Sequence, residues 1–241
     1  MIIEAIKKDL NNLSKKSDVN LLQSFFKTEK GQYAEGDIFI GVRVPQQREV
    51  VKKYFKTISF REVAQFISSP IHEYRFSALL VLIFKFENSK TEKEKEIIYN
   101  FYLKNIKYVN NWDLVDLSAP KILGAYTFNH RENLKILFKL AKSKNLWSRR
   151  IAIISTFYFI KRGEYKQSFQ LAEILLDDDQ DLIHKAVGWM LREVGNNLGQ
   201  KIEEEFLNKY YQIMPRTMLR YAIEKFTPSK RKLYLNKKTL I

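Results

Sequence analysis

The chain of 241 residues carries 42 lysine and arginine residues against 27 aspartate and glutamate residues, which gives a formal net charge of +15. Its length suits one or two domains with an ordinary hydrophobic core, and the lack of cysteine excludes disulfides, thiolate metal sites and a thiol nucleophile. The positive charge favours a polyanionic partner such as nucleic acid, because each phosphate that is neutralised releases condensed counterions. A basic surface that is only solvated is the alternative.

The N-terminal region is predicted as two helices, an irregular stretch and a further helix, within residues 1–56 and at about 2–16, 18–28, 30–45 and from Gln46. Glycines and Pro45 interrupt the segment YAEGDIFIGVRVP (33–45), whose isoleucine and valine residues can be buried. We interpret it as a turn that docks the N-terminal helices onto the next element, with a DNA contact through Arg43 as the minor alternative. No secretory signal precedes it, so we expect a cytoplasmic protein, in a bacterial-type cytosol and nucleoid-associated when bound to DNA.

From about residue 58 to 228 the sequence repeats a unit of two helices, a polar-faced amphipathic helix followed by a more apolar one. The first helices are predicted at 60–68, 91–105, 133–143, 165–177 and 202–212. The second helices are predicted at 73–86, 110–123, 146–160, 181–194 and 215–226, and an alanine in each recurs every 33 to 41 residues. Such periods of helix pairs are typical of α-solenoids. We predict an all-α fold, a right-handed solenoid of five HEAT-like (armadillo-type) repeats with a concave basic groove.

Local signals refine this prediction. Pro120 should kink or end its helix, Gly195 is a predicted helix stop, and the basic tail over 229–241 is expected to be frayed. Aspartates 177, 178, 179 and 181 are predicted to cap the helix that follows them.

The longest apolar runs are about half the roughly 20 residues that a membrane span needs, so no membrane partner is expected. No linker divides the chain, and residues 1–241 are predicted as one domain.

Several classes of enzyme are excluded because the sequence lacks the motifs that their chemistry requires. The sequence contains no motif for nucleotide hydrolysis, dinucleotide binding, zinc proteolysis or serine hydrolysis. His72, His130 and His184 are remote from one another and show no ligand spacing, so we interpret them as structural or solvated. Neither a metal nor a cofactor is predicted.

The segment NNWDLVD (110–116) is unusual. On a helix Trp112 and Asp116 share one face, and a carboxylate among leucines and valines is costly to bury unless a positive group meets it. Trp147 and Trp189 lie on corresponding helices, with Arg149 and Arg150 at the start of the helix between. Either these groups converge on one concave surface, or the tryptophans are core residues and the aspartate is a cap or an internal ion pair with one of the arginines.

Four segments together resemble one family. They are YAEGDIFIGVRVP (33–45), NNWDLVD (110–116), LWSRRIAI (146–153) and HKAVGWMLREVG (184–195), and their order and spacing are similar to those of the AlkD-type DNA alkylation-repair glycosylases, which are built of HEAT-like repeats. The resemblance covers nearly the whole chain. It implies a monomeric enzyme of base excision repair that hydrolyses the N-glycosidic bond of cationic N3- and N7-alkylated purines, of the 3-methyladenine and 7-methylguanine type, in double-stranded DNA.

The resemblance also implies roles for individual residues. Asp116 matches the catalytic carboxylate, which would stabilise an oxocarbenium-like sugar and position water. Trp112 and Trp189 match tryptophans that face the sugar and backbone of the lesion, and Arg150 matches the arginine beside them, whereas Asp113, Arg149 and Trp147 receive no catalytic part. The family acts without a tight base-flipping pocket.

Further basic residues are candidates for contacts with DNA phosphates. They are Arg43, Lys104, Lys107, Lys144, Arg149, Lys185, Arg216 and Arg220. Two other functions stay open at this point, which are a non-catalytic HEAT-repeat protein that binds damaged or structured nucleic acid and a protein–protein scaffold. The presence of both Asp116 and Arg150 favours the enzyme.

Overall fold

The computed structural model describes residues 1–236, which form two compact units, one of Met1–Ser118 and one that begins at Ala119. In this part of the chain β-structure is limited to an isolated bridge between Ile38 and Ile71. The predicted all-α fold class is therefore confirmed. No helix within residues 1–236 combines the length and the apolar character that crossing a membrane requires. The single-domain assignment stays a prediction.

The first unit is built around one apolar helix. Its helices are α1 (Ile2–Asn12), α2 (Lys16–Phe26), α3 (Val44–Tyr54), α4 (Phe60–Ile67), α5 (His72–Glu87), α6 (Glu92–Lys104) and α7 (Trp112–Ser118), with a 3-10 turn at Ile106–Tyr108. Helix α5 packs against α3, α4, α6 and α7, and every side chain from His72 to Ile83 is buried. A helix that is buried all round in this way forms the core of its unit.

The second unit is centred on a long amphipathic helix. Its elements are a π-helical turn (Pro120–Gly124), α8 (Ala125–Asn129), a 3-10 turn (Arg131–Asn133), α9 (Lys135–Ala141), α10 (Leu146–Ser155), α11 (Phe157–Ile160), α12 (Lys166–Ile174), α13 (Asp181–Leu198), α14 (Gln200–Tyr210), α15 (Arg216–Ala222), a 3-10 turn (Ile223–Lys225) and α16 (Pro228–Leu235). Helix α13 packs against α10, α11, α12, α14 and α15.

The predicted helix pairs are present along the described chain. They are α4 with α5, α6 with α7, α9 with α10, α12 with α13, and α14 with α15. This alternation is that of HEAT-like repeats. The three tryptophans fall on the second helices of the middle pairs, as the sequence predicted. The right-handed superhelix and the concave groove stay predictions.

Two helix breakers behave differently. Pro120 does distort its helix, because Gly124 N–H bonds to Ala119 O at 2.8 Å in the i to i+5 pattern of a π-turn. The predicted stop at Gly195 is wrong, since α13 continues to Leu198. A side chain at Gly195 would collide with the buried carboxylate of Glu203, so this glycine serves helix packing.

The C-terminal segment also differs from expectation. Residues 228–235, predicted as frayed, form α16, whose Tyr234 side chain is buried. The Tyr234 hydroxyl lies 3.0 Å from both Glu204 Oε1 and Asn208 Oδ1. This buried anchor explains why a strongly basic segment is helical. Lys237 and Lys238 lie outside the described residues.

Candidate functional site

The irregular stretch before α3 is held by a carboxylate at the start of α5. Glu73 is buried and accepts hydrogen bonds from the backbone N–H groups of Ile40, Gly41 and Val42 at 2.8 to 3.3 Å. Three amides that converge on one carboxylate satisfy its charge without an ion pair. The contacts agree with a turn that docks the N-terminal helices, as predicted for residues 33–45.

A buried ionic cluster lies beside this turn. His72 Nδ1 is 3.2 Å from Asp37 Oδ2, and His72 Nε2 is 2.8 Å from Asp113 Oδ2. Asp37 also accepts from Arg75 Nη2 at 2.6 Å and from Asn111 Nδ2 at 3.1 Å. Burial alone would lower the pKa of His72, but the charge of Asp113 and the hydrogen bonds to both carboxylates raise it to about 9. His72 is therefore an imidazolium that donates from both ring nitrogens at neutral pH.

The indole of Trp112 is fixed by contacts from the N-terminal region. Its Nε1 donates to the Tyr33 hydroxyl at 3.2 Å. Its ring stacks on Phe26, with centroids 5.2 Å apart and planes 22° apart, and meets the edge of Phe25 at 5.7 Å. Asn111 Oδ1 accepts the backbone N–H of Trp112 at 2.8 Å. The half-buried ring is thus held in one orientation.

Trp112 and Asp116 line one cavity of about 510 Å³ in the first unit. The shared helix face predicted from their spacing is therefore confirmed. Most of the wall is apolar, and the other lining residues are Leu22, Phe25, Phe26, Phe39, Val42, Arg43, Val44, Gln47, His72, Glu73, Phe76, Asp113 and Leu117. Asp116 is half-buried on this wall. A carboxylate in such surroundings acts on a nearby cation more strongly than it would in water.

Arg43, at the rim of the same cavity, forms a bidentate ion pair. Its Nε and Nη2 donate to the two carboxylate oxygens of Asp18 at 2.9 and 3.1 Å, and the hydrogen bond from Arg43 lowers the pKa of Asp18. The Arg43 side chain is still 67% exposed. Its contact with DNA stays a prediction.

Two of the four proposed catalytic residues belong to the second unit. Arg150 on α10 is buried, and its Nη1 donates to the backbone carbonyl of Leu182 at 2.6 Å. Trp189 on α13 is half-buried; its Nε1 donates to Glu193 Oε1 at 3.2 Å, and its ring lies 5.9 Å from that of Phe157. Both side chains have fixed orientations within this unit.

Arg149 has a structural set of partners instead. Its Nε and Nη2 donate to the carboxylate of Asp178 at 2.5 and 3.1 Å, and its Nη1 donates to the carbonyls of Ser143 and Lys144. These bonds tie the turn before α10 to the loop before α13. The contact of Arg149 with DNA stays a prediction. Asp178 is an ion-pair partner and not the N-cap of α13, a position that Gln180 occupies.

The remaining basic candidates lie on the surface of their units. Lys104, Lys107, Lys144, Arg216 and Arg220 are exposed, and Lys185 is half-buried. Lys185 and Arg220 line a polar cavity of about 470 Å³ in the second unit, and Lys185 Nζ lies 2.7 Å from Asp181 Oδ2. Arg216 Nη1 donates to Leu235 O. Their contacts with phosphate stay predictions.

Sequence reasoning missed the residues that support Trp112. His72, interpreted as structural or solvated, is structural, since it is buried between Asp37 and Asp113. Neither Tyr33 nor Asp37 was singled out. One signal was available, because the charged run HEYR opens the most apolar helix of the chain, and charges at such a position need buried partners. Within residues 1–236 no group of three or more histidine, aspartate or glutamate side chains is arranged to hold a metal ion.

Fold and site together define a helical-repeat α-protein with a half-buried carboxylate beside a fixed indole and an excess of basic residues. The sequence profile of the family described as DNA alkylation repair enzyme matches residues 6–226, and the chain belongs to this family. Its role is that of an enzyme in DNA alkylation repair. The resemblance drawn from the four motifs is thereby confirmed at the level of the family.

One solved structure with the same fold is described as a predicted DNA alkylation repair enzyme from Enterococcus faecalis. The match has a TM-score of 0.69 and covers 89% of this chain and 97% of that chain, at 17% sequence identity. At this identity the likeness supports the fold alone. A comparison with curated proteins found no match.

Proposed function

We propose that this protein is an alkylpurine DNA glycosylase of base excision repair. Its reaction is hydrolysis of the N-glycosidic bond of cationic N3- or N7-alkylated purines in double-stranded DNA. The observation that supports the proposal most is the position of Asp116 beside Trp112 on a largely apolar cavity wall, in a chain of the DNA alkylation repair family.

The chemistry of the substrate suits a single carboxylate. An N3- or N7-alkylated purine already carries a positive charge, so the base leaves without protonation by a general acid. Positive charge then develops on the deoxyribose, and Asp116 stabilises this oxocarbenium-like ion and orients or deprotonates the attacking water. The face of Trp112 attracts the same cation through its quadrupole, by about 0.5–2 kcal/mol. Because Tyr33 and Phe26 already hold the indole, little orientational freedom is lost on binding.

Trp189 and Arg150 receive their roles from the motif match. We assign Trp189 a second indole contact with the sugar and backbone of the lesion. Arg150 is assigned a clamp on the DNA backbone, since a guanidinium binds phosphate oxygens in a defined plane. Its anchor on the carbonyl of Leu182 orients the group in advance.

The proposed enzyme needs no tight pocket for an extruded base. Attack from the backbone side leaves selectivity to the charge and the labile bond of the lesion, more than to contacts with base edges. We propose a monomer without cofactor in the bacterial-type cytosol, associated with the nucleoid when it is bound to alkylated duplex DNA.

The experiment is base release from a duplex oligonucleotide that carries a single 7-methylguanine. It compares the wild type with Asp116→Asn and with Asp179→Asn, which removes the same charge at an exposed position. We expect release by the wild type and the control, and a loss of about 100-fold or more in Asp116→Asn with DNA affinity nearly unchanged.

Two results would contradict the proposal. Equal base release by Asp116→Asn and the wild type would show that the Asp116 carboxylate is not needed for the reaction. No release by any variant, together with tight and salt-sensitive binding, would establish the non-catalytic nucleic-acid-binding protein instead.

A further inference from the structure

A second cavity, of about 400 Å³, lies at the far end of α5. Its lining includes Lys56, Phe60, Lys85, Asn88, Lys90 and Ile97. Lys85 is 13 residues after His72 on one helix, which corresponds to roughly 20 Å at 1.5 Å per residue. This cavity is therefore separate from the one that Asp116 lines.

Three lysines surround the cavity without a carboxylate partner. In the described part of the chain no acidic group lies within ion-pair distance of Lys56, Lys85 or Lys90. The half-buried ammonium of Lys85 lies 5.8 Å from the ring centroid of Phe60, and burial lowers the pKa of Lys85. The carboxylate of Glu94 is engaged at the start of α6, where it accepts the backbone N–H of Lys90 at 2.6 Å. The partly desolvated ammonium of Lys85 favours a bound anion, and the exposed Lys56 and Lys90 line the same cavity.

The wall between the lysines is apolar and partly aromatic. The Phe60 ring packs on Phe101 with centroids 5.2 Å apart, and Ile97 is 47% exposed above the buried Ile98. Asn88 Nδ2 donates to the carbonyl of Phe84 at 2.8 Å, which leaves its side-chain oxygen as an acceptor for a ligand. An apolar wall with one polar group that fixes orientation is typical of a small-molecule site.

We infer that this cavity binds a nucleoside monophosphate unit. Its phosphate lies among Lys56, Lys85 and Lys90, and its base lies against Phe60 and Ile97. A planar heteroaromatic base covers the apolar wall, and a phosphate supplies the charge that the lysines lack. The unit comes either from a free nucleotide or from the unpaired terminal nucleotide of a DNA strand, because both present the same chemistry.

The test is a titration of the full chain, labelled at isoleucine methyl groups, with AMP, ribose 5-phosphate and adenosine, followed by NMR. We expect the methyl signals of Ile97 and Ile98 to shift with AMP, with a Kd of about 0.1–1 mM. Lys85→Met, which keeps the apolar stem, should weaken AMP binding by about 5-fold or more. Lys93→Met removes an exposed lysine of α6 that does not line the cavity, and should leave the affinity within about 2-fold.

Ile97→Glu is the second variant, because Ile97 is exposed and its replacement leaves the core intact. A carboxylate at this position should abolish AMP binding by repelling the phosphate. Unshifted Ile97 and Ile98 signals, equal AMP affinity in Lys85→Met and the wild type, or equal affinity for ribose 5-phosphate and AMP would each overturn the inference.

Two duplexes distinguish the sources of the nucleotide. They are identical except that one is blunt and one carries a short single-stranded overhang, and binding is followed by fluorescence anisotropy. A preference for the overhang that is lost in Lys85→Met assigns the cavity to a DNA strand end. AMP binding without that preference assigns it to a free nucleotide.

Discussion

His72 Nε2 lies 2.8 Å from Asp113 Oδ2, so an internal ion pair joins the first residue of α5 to the first turn of α7. Asp113 directly follows Trp112 and precedes Asp116 by three residues. The ion pair therefore sets where the helix that carries the indole and the carboxylate begins relative to α5. His72 thus holds the start of α7 in position.

His72→Gln should change the pH dependence of stability. The pKa of His72 is about 9 in the folded chain against about 6.5 in an unfolded one. Its stabilising contribution is thus complete below pH 6.5 and is lost as the pH rises through 9. Urea unfolding should show that the variant is destabilised at pH 6, by about 3–5 kcal/mol, and by less at pH 9.5.

The same variant should excise 7-methylguanine more slowly, because the ion pair between His72 and Asp113 no longer holds the start of α7 in position. His130→Gln is the control, since it leaves Asp37 and Asp113 with their partner. An unchanged slope of stability against pH in His72→Gln would show that the imidazolium is absent.

Arg150→Ala should lower excision by about 10-fold or more while DNA affinity falls less, because the proposed clamp would position the DNA backbone in addition to binding it. Arg150→Lys should restore little of the excision activity, since a lysine ammonium lacks the planar, two-pronged set of donors of a guanidinium. The measurements are single-turnover base release and DNA binding. Unchanged release and binding in Arg150→Ala would refute the clamp.

Lys185→Gln combined with Arg220→Gln should weaken DNA binding and reduce its dependence on salt. Each lost phosphate contact lowers the slope of log affinity against log salt by about 1. Both residues line the polar cavity of the second unit. Arg131→Gln is the matched control, because Arg131 pairs with Glu164 through two bonds. Equal slopes in the double variant and the wild type would exclude both residues as phosphate contacts.

Glu203→Gln should stabilise the protein in mild alkali. Burial and then the charge of Glu204 raise the pKa of Glu203 to about 8, and within residues 1–236 its buried Oε1 has no hydrogen-bond partner. The folded chain keeps a proton that the unfolded chain releases above about pH 4.5, so stability falls between pH 4.5 and 8. Thermal unfolding at pH 8.5 should show that the free energy of unfolding is about 1–3 kcal/mol higher in Glu203→Gln than in the wild type. The exposed Glu205→Gln should have no such effect, and a gain shared by both variants would point to surface charge.

The repeats and one face of the site could be predicted because their signals are local. Each helix pair has its own alternation of polar-faced and apolar helices, and the period recurs five times. Trp112 and Asp116 are four residues apart, and this spacing alone places them on one side of α7. Both line the same cavity.

The remainder depends on contacts between distant segments. His72 meets carboxylates that are 35 and 41 residues away in the chain, and no pattern within one helix predicts such partners. The local sequence predicts a helix end at Gly195. The structure instead requires glycine there because a side chain would collide with Glu203 on α14. The C-terminal segment is helical because Tyr234 reaches Glu204, thirty residues earlier.

The hydrogen bonds from the amides of residues 40–42 to Glu73 can form only once synthesis has passed the middle of the first unit. As the chain leaves the ribosome, these amides appear more than thirty residues before their carboxylate. Tyr33 gains its partner later still, because Trp112 is 79 residues further along the chain. The N-terminal stretch is thus among the first parts of the first unit to be made and among the last parts of that unit to gain its contacts. The wall around Trp112 is completed only when translation has passed the middle of α7.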